Sequence, residues 1–331
     1  MLANTVAPQF QSERASDPMD RRHRLVLGTF TLAEAPQDVW DAVLDEYVAA
    51  GGEWVDTAFA YGHGEAERKL GSYLRRRSAS LRISTKIGHF SDHAAYRDPG
   101  ALLQAFEQSR ERLGRLPDQI LLHEADWRVW WHKEGKPFEI RSAKDLTDGG
   151  QSAPCLAAVR KIADQFAIRW GISGNNTAPL MHAAIDAKPD VILVAKQLDL
   201  LWRTAEPLAA RAQAGAYDLW LGSPFHQGWL FRLDELAAFG ERCNPDVAQG
   251  ARDLAALLSR VGTGLVELAI PFLLDRHDIT RIAVGVRQPG EITQVLASAE
   301  RSLSKELMAE IDRIGFRAPP MKSPMQKSEP A

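Results

Sequence analysis

The sequence predicts a single (β/α)8 barrel, a closed sheet of eight parallel strands surrounded by helices. Three observations favour this fold class. Eight short apolar runs alternate along the 331-residue chain with longer stretches whose apolar residues recur at helical spacing. The runs are continuously apolar, as strands buried on both faces of a parallel sheet must be. No run is followed by the GxGxxG fingerprint that would indicate an open dinucleotide-binding sheet.

Each predicted strand is a β-branched or aliphatic run that ends near a glycine or a polar residue. In chain order, the runs cover residues 25–29, 54–58, 81–86, 119–123, 169–173, 191–197, 218–222 and 281–285. A barrel of this kind commonly exceeds 250 residues as one domain, so the length does not require a second one.

Amphipathic stretches between the runs predict the helices. Clear examples are residues 37–50, 64–77, 101–113, 157–166, 204–214 and, at the end, 302–314. Two long segments do not fit the repeat, residues 127–151 after the fourth run and 223–245 after the seventh. Insertions that follow strands lie at the carboxyl end of a barrel, where active sites are assembled, so both are candidate substrate walls. The predicted domain is 25–316, between a flexible N-terminal segment, 1–24, and a flexible tail, 317–331.

Composition excludes several function classes. A formal net charge of −3 and a pI near 6.3 give no general attraction to nucleic acid or to an anionic membrane. The two cysteines, Cys155 and Cys243, are far apart and lack metal-site spacing, which favours a reducing compartment. The first 24 residues hold no apolar signal segment, so we expect a cytoplasmic protein. The oligomeric state stays open.

Four polar residues stand at or just beyond the ends of three neighbouring predicted strands. These are Asp56 and Tyr61 after the second run, Lys86 at the end of the third and His123 at the end of the fourth. Strand ends of a parallel barrel converge in space. An acid, a phenol, an amine and an imidazole at one barrel mouth make a proton-transfer site.

The motifs around these residues resemble those of the aldo-keto reductase superfamily. They include LGTF at 27–30, DTAFAYGHGEAERKLG at 56–71, STKIG, LHEAD, WGIS and VGVR at 284–287, in the order of that family and over most of the chain. The resemblance implies a catalytic tetrad of Asp56, Tyr61, Lys86 and His123, and an NAD(P)(H)-dependent oxidoreductase that interconverts a small-molecule carbonyl and an alcohol.

Hydride delivery to a carbonyl carbon builds negative charge on its oxygen, so a proton donor must face that oxygen. Tyr61 is the implied donor. A free phenol titrates near pH ~10, and we expect the Lys86 cation to lower the pKa of Tyr61 by about two units. Asp56 would hold the ammonium, and His123 would orient the substrate oxygen.

The resemblance also implies contacts to the cofactor. The implied cofactor residues are Gly28, Thr29, Ser173, Asn175, Gln197, Gly222, Ser223, Gly285, Arg287 and Glu291. The family's serine-asparagine pair becomes Ser173, Gly174, Asn175 here, and Gly222 stands near the position of the aromatic residue that stacks on nicotinamide. Glu291 favours NAD and Arg287 favours NADP, so cofactor preference stays open.

Three aromatic residues, Phe30, Trp127 and Trp130, are candidate substrate contacts because they follow the first and fourth strands. His89 and His93 have i,i+4 spacing, yet they lack the acidic partner of a HExxH motif. We therefore expect no metal site.

Three other functions remain alternatives. The first is an NAD-dependent sugar or pyridoxal-type dehydrogenase of the same superfamily, which the GSPFHQGWL segment resembles. The second is a Schiff-base aldolase with Lys86 as nucleophile, which the full Asp56, Tyr61 and His123 set disfavours. The third is a non-catalytic, cofactor-sensing regulatory subunit.

Overall fold

The computed structural model describes residues 21–77, 79–132 and 153–317. Eight parallel strands close into one barrel in which each strand pairs with the next and the last pairs with the first. The fold class predicted from the sequence is confirmed. The strands are β1 (Leu25–Gly28), β2 (Trp54–Asp56), β3 (Arg82–Ile87), β4 (Gln119–Leu122), β5 (Arg169–Gly174), β6 (Val191–Ala195), β7 (Asp218–Gly222) and β8 (Arg281–Gly285).

Helices connect the strands on the outside of the barrel. In the described ranges the α-helices are α1 (Gln37–Ala49), α2 (Glu65–Arg76), α3 (Pro99–Leu113), α4 (Pro154–Phe166), α5 (Thr177–Ala187), α6 (Glu206–Gln213), α7 (Leu233–Cys243), α8 (Pro245–Val261), α9 (Leu265–Leu274), α10 (Glu291–Ser298) and α11 (Lys305–Ile314). In the predicted insertion after the seventh strand, short 3-10 turns cover His226–Phe231, and the amphipathic sequence after Arg232 forms α7.

The strands divide their side chains between the barrel interior and the helical layer. Val26, Leu121, Val191 and Leu193 belong to an interior cluster, whereas their neighbours in sequence join the larger core under the helices. Alternate residues of a strand point to opposite faces, so one β-strand supplies both layers. This parity decides which residues at the carboxyl ends face the mouth of the barrel.

Bulky side chains close the opposite, amino end of the barrel. The Trp54 and Trp220 rings meet edge to face with centroids 5.0 Å apart, and the Arg281 guanidinium lies 5.2 Å from the centroid of the Trp54 ring. Both indoles are fully buried. With the floor filled in this way, the carboxyl mouth is the end open to a substrate.

Residues 21–24 lie inside the N-terminal segment that we predicted to be flexible, yet they form a short 3-10 helix. Arg24 fixes it by donating to the carbonyl oxygens of Leu274, at 2.6 Å, and Ile279, at 2.5 Å. The other predicted flexible residues, 1–20 and 318–331, lie outside the described ranges, as do residues 133–151 of the predicted insertion.

No single helix in the described ranges has the length and apolarity needed to cross a bilayer. The helices α8 and α9 meet those criteria only as a pair, and a bend of 102° separates them.

Candidate active site

The four predicted tetrad residues meet at the carboxyl mouth of the barrel. Asp56 is the last residue of β2, Lys86 is the penultimate residue of β3, and His123 directly follows β4. The buried Lys86 ammonium donates to Asp56 Oδ2 at 2.5 Å, to the Thr57 carbonyl at 3.0 Å and to Tyr61 Oη at 3.1 Å. All three ammonium protons therefore have an acceptor, which fixes Lys86 in one position.

Burial and charge act in opposite directions on the titration of this group. Burial would lower the pKa of Lys86, but the Asp56 carboxylate and Tyr61 together raise it, so the amine is a cation. Burial raises the pKa of Tyr61 above its ordinary value, and the Lys86 charge offsets only part of that rise. Our expectation of a lowered Tyr61 pKa was wrong, because it included the cation and left out the desolvation of the phenol.

His123 lies beside Tyr61, with ring centroids 5.8 Å apart in an edge-to-face arrangement. Burial, then the neighbouring His89 and Lys86, hold the pKa of His123 well below its ordinary value. The imidazole is therefore neutral near pH 7 and keeps one N–H donor and one acceptor nitrogen.

Trp130 supports His123 from behind rather than facing the mouth. Its side chain is fully buried, its Nε1 donates to the His123 carbonyl at 2.9 Å, and its ring packs edge to face on Tyr96. We predicted Trp130 as a substrate contact from its position after β4. Trp130 does not reach the mouth, because its indole packs beneath the loop and is fully buried.

A cavity of 380 Å³ runs from Tyr61 and Asp56 to the start of α10. Eight of the residues predicted to contact the cofactor or the substrate line it: Gly28, Thr29, Phe30, Gly222, Ser223, Gly285, Arg287 and Glu291. The sequence reasoning missed several other lining residues, among them Leu193, Ala195, Phe225 and Phe231. Strand parity could have found the first two, since they alternate inward along β6.

The remaining predicted cofactor residues lie outside the lining of this cavity and are held by hydrogen bonds at the strand ends; they are Ser173, Asn175 and Gln197. Ser173 Oγ donates to the Leu122 carbonyl at 3.1 Å, and Gln197 Nε2 donates to the Asn175 carbonyl at 2.6 Å. Asn175 Nδ2 in turn donates to Glu124 Oε1 at 3.1 Å. These bonds tie together the ends of strands β4, β5 and β6 beside the mouth.

Gly174 explains the departure from a serine-asparagine pair. A Cβ at this position would lie 2.5 Å from Asp126 Oδ1, so the buried Asp126 carboxylate occupies the space of a side chain. Asp126 Oδ2 accepts from Asn176 Nδ2 at 2.6 Å and from the Asn175 amide at 3.0 Å. Burial raises the pKa of Asp126 to about 6.

Three carboxylates surround the start of α10, at the far end of the cavity. Glu291 Oε2 accepts from the Arg287 amide at 2.8 Å, and Glu46 Oε2 from α1 accepts from the Gly290 amide at 2.8 Å. Glu267 Oε1 from α9 accepts from Gln294 Nε2 at 2.9 Å. Glu46 carried no signal in the sequence, because it lies 244 residues from Gly290 and on another helix.

Trp127 is half-buried near the mouth, where its ring lies 5.1 Å from that of His89. His89 lies 4.7 Å from His123, ring to ring, and its Nε2 is 3.1 Å from Glu124 Oε2. In the described part of the chain, no three His, Cys, Asp or Glu side chains come together as metal ligands. Metal independence stays a prediction.

Comparison with known proteins identifies the family. The sequence profile of the Aldo/keto reductase family matches residues 24–315. Pyridoxal 4-dehydrogenase of Microbacterium luteolum is 25% identical over 304 residues, which cover 80% of this chain and 85% of that relative.

Solved structures share the fold at low sequence identity. The holo form of an aldo-keto reductase from Bacillus halodurans superposes with a TM-score of 0.66 and 17% identity, covering 89% of this chain and 93% of that one. Glycerol dehydrogenase of Gluconobacter oxydans gives a TM-score of 0.65 and 19% identity, covering 88% and 90%.

The family match extends over the whole barrel, from the residue before β1 to the residue after α11. The tetrad residues, the lined cavity and the strand-end motifs all lie within it. The chain therefore belongs to the aldo/keto reductase family, whose members are oxidoreductases that act on carbonyl and alcohol groups.

Proposed function

We propose that this protein transfers a hydride between a nicotinamide cofactor and a carbonyl or alcohol substrate, with Tyr61 as the proton donor and acceptor. The observation that carries the proposal is the Lys86 ammonium, which bridges Asp56 Oδ2 and Tyr61 Oη, and both of these partners line the cavity. A buried phenol held against a cation is suited to give up a proton and to remain as a stabilised phenolate.

In the reducing direction, negative charge grows on the substrate oxygen and the Tyr61 hydroxyl donates its proton to it. Because burial raises the pKa of Tyr61, the phenol is protonated at neutral pH and ready to act as the acid. Lys86 then stabilises the phenolate at 3.1 Å, and Asp56 holds Lys86 in place. In the oxidising direction the phenolate accepts the alcohol proton.

His123 would orient the substrate oxygen. Its neutral imidazole can donate one hydrogen bond to that oxygen without adding a charge, and its ring lies beside Tyr61. Two donors, one phenol and one imidazole, would then converge on a single oxygen, which is the arrangement that charge development requires.

The residues of the cavity fit a dinucleotide. When bound, the nicotinamide supplies or receives the hydride. Gly28 and Gly222 line the cavity without a side chain, and neighbouring strands leave little room for one: a Cβ on Gly28 would lie 3.3 Å from the Val284 carbonyl oxygen, and one on Gly222 would lie 3.2 Å from Leu193 Cδ2. Leu193 and Ala195 beside Gly222 would give an aliphatic surface where the family usually places an aromatic ring.

We also propose that the cofactor is NAD(H) rather than NADP(H). The amides of Arg287 and Gly290, which precede α10, are already bonded to the Glu291 and Glu46 carboxylates. A phosphate at this helix start would find both amides occupied and would be repelled by two negative charges, whereas ribose hydroxyls could donate to the same carboxylates.

A pyridoxal-type dehydrogenase is the second candidate, supported by the relative from Microbacterium luteolum. It uses the same residues in the oxidising direction. A cytoplasmic setting is part of the proposal and is supported by the sequence, in which Cys155 and Cys243 are far apart and lack metal-site spacing.

The test is Tyr61→Phe, assayed with aldehydes, ketones, alcohols and aldoses and with both nicotinamide cofactors. We expect turnover to fall at least about a hundredfold, because a positioned general acid is removed, while cofactor affinity measured by fluorescence quenching stays near wild type. Tyr217→Phe is the matched control, since Tyr217 bonds the Leu208 carbonyl away from the site. Near wild-type turnover of Tyr61→Phe would end the tetrad assignment.

A further inference from the structure

His89 and Glu124 form a polar pair beside the tetrad that the proposed proton transfer does not use. We infer that this pair is a substrate-recognition site, which binds a hydroxyl group carried by the substrate near its reacting carbon. The inference rests on the proposed function, because it takes Tyr61 and His123 as the position of the reacting oxygen.

His123 lies between Tyr61 and His89, since its ring contacts both of theirs. His89 stacks beside His123 with ring centroids 4.7 Å apart, and Glu124 is the next residue in the chain after His123. Gly88 permits the close approach, since a Cβ there would lie 3.2 Å from His123 Cβ and 3.1 Å from the Trp130 ring. The loop after β3 is therefore pressed against the end of β4.

Two atoms of the pair retain hydrogen-bonding capacity. Glu124 Oε1 already accepts from Asn175 Nδ2, which fixes the carboxylate. Glu124 Oε2 and His89 Nε2 lie 3.1 Å apart, within ion-pair distance, yet neither makes an aligned hydrogen bond within the described ranges, and the two side chains remain 16% and 31% exposed. Polar atoms held together without an aligned hydrogen bond are incompletely satisfied, so a ligand that enters between them and bonds to both is stabilised.

A hydroxyl group fits these two atoms better than other groups do. A carboxylate oxygen only accepts, so the ligand must donate to Oε2, and an imidazole nitrogen can donate to the same ligand oxygen. A hydroxyl does both at once. An acidic group would instead be repelled by Glu124, and an alkyl chain would leave both atoms unpaired.

Aromatic rings flank the tetrad on two sides, Phe30 within the lining of the 380 Å³ cavity and Trp127 outside it. Phe30 lies 5.3 Å from Tyr61 on one side of the tetrad, and Trp127 lies 5.1 Å from His89 on the other, ring to ring. A substrate oxygen at Tyr61 and His123 would place the adjoining carbons over His89, with their C–H faces against Trp127. The site therefore suits a hydroxylated carbonyl compound over an unsubstituted one.

The experiment compares glyceraldehyde with propanal, which has the same carbon chain without the two hydroxyls. Wild type should prefer glyceraldehyde by at least about tenfold in kcat/KM, as sites built to bond a hydroxyl do. Glu124→Gln and His89→Phe should each lower kcat/KM for glyceraldehyde about tenfold, mainly through KM, and leave propanal within about twofold. His89→Phe keeps a ring against His123 and Trp127. Glu111→Gln, an exposed carboxylate on α3, is the control.

Two results would overturn the inference. An equal loss for both aldehydes would mean that the pair acts on chemistry or folding, and unchanged kinetics for both would mean that it does not touch the substrate. If wild type reduces neither aldehyde, the hydride-transfer proposal is decided separately by the wider substrate panel and Tyr61→Phe. Recognition is then decided by saturation-transfer NMR without cofactor, in which glycerol but not propan-1-ol should bind to wild type and lose its signal in both variants. Absence of the wild-type glycerol signal would refute it.

Discussion

The carboxylates at the start of α10 lead to the prediction that Glu46→Gln and Glu291→Gln will each weaken the preference for NADH over NADPH. Glu46 and Glu291 hold the amides of Gly290 and Arg287, each at 2.8 Å. Glutamine has the same shape and still accepts a hydrogen bond from an amide. The substitution therefore removes a charge and changes the packing little, which isolates the electrostatic part of the selection.

The magnitude follows from the exposure of both contacts. Like charges about 4 Å apart repel by about 1 kcal/mol when water surrounds them, and more where it does not. Each variant should therefore shift the ratio of the two dissociation constants by about fivefold. The amides lie three residues apart and flank one helix start, so the double variant should show coupling rather than simple addition. Glu291→Arg adds an ion pair and should shift the ratio by one to two orders of magnitude, about 1.4 to 2.8 kcal/mol.

Dissociation constants of NADH and NADPH, measured by quenching of tryptophan fluorescence at two salt concentrations, test this prediction without turnover. The shift should shrink in high salt, because the contacts are exposed. Glu241→Gln is the control, since that carboxylate pairs with Arg252 on α8 and does not line the cavity. If the double variant keeps the wild-type ratio, the two carboxylates do not face the adenosine ribose and the reasoning is refuted.

Three further predictions concern the proton, the fold and metals. Lys86→Met removes the charge that partly offsets the effect of burial on the Tyr61 pKa, so this pKa should rise further. Alcohol oxidation needs the phenolate and should therefore require a higher pH. An unchanged profile of kcat/KM against pH would contradict this. Gly174→Ala should destabilise the protein by about 1 to 3 kcal/mol in urea unfolding, because the new Cβ would lie 2.5 Å from Asp126 Oδ1. An unfolding midpoint equal to that of wild type would show that the Asp126 side chain can move aside without cost. Turnover should survive a chelator, and a loss reversed by a divalent ion would count against metal independence.

The sequence predicted what depends on strand periodicity. Asp56, Lys86 and His123 follow from the rule that the carboxyl ends of barrel strands converge, and the structure brings them together with Tyr61. Gly222 and Gly285 line the cavity for the same reason. These positions need only the order of the strands.

Features that depend on contacts between distant segments were missed. Glu46 reaches the start of α10 from α1, and nothing in the local pattern of α1 marks it out. Trp130 was assigned to the wrong side of its loop because residue type does not give the direction of a side chain. The direction of the Tyr61 pKa shift depends on how completely the barrel and its loops exclude water, which only the packed structure reveals.

Several residues just after the strands have a strained backbone conformation. Four non-glycine residues take a left-handed φ just after strands: His89 at 59°, Glu124 at 53°, Lys196 at 63° and Ser223 at 56°. Each such residue costs about 1 to 3 kcal/mol and persists where surrounding structure enforces it, often at binding sites. Glycine would remove the strain but also the side chain. Ser223 lines the cavity, and His89 and Glu124 form the proposed recognition pair, so three of these four left-handed residues belong to the cavity or to the proposed site.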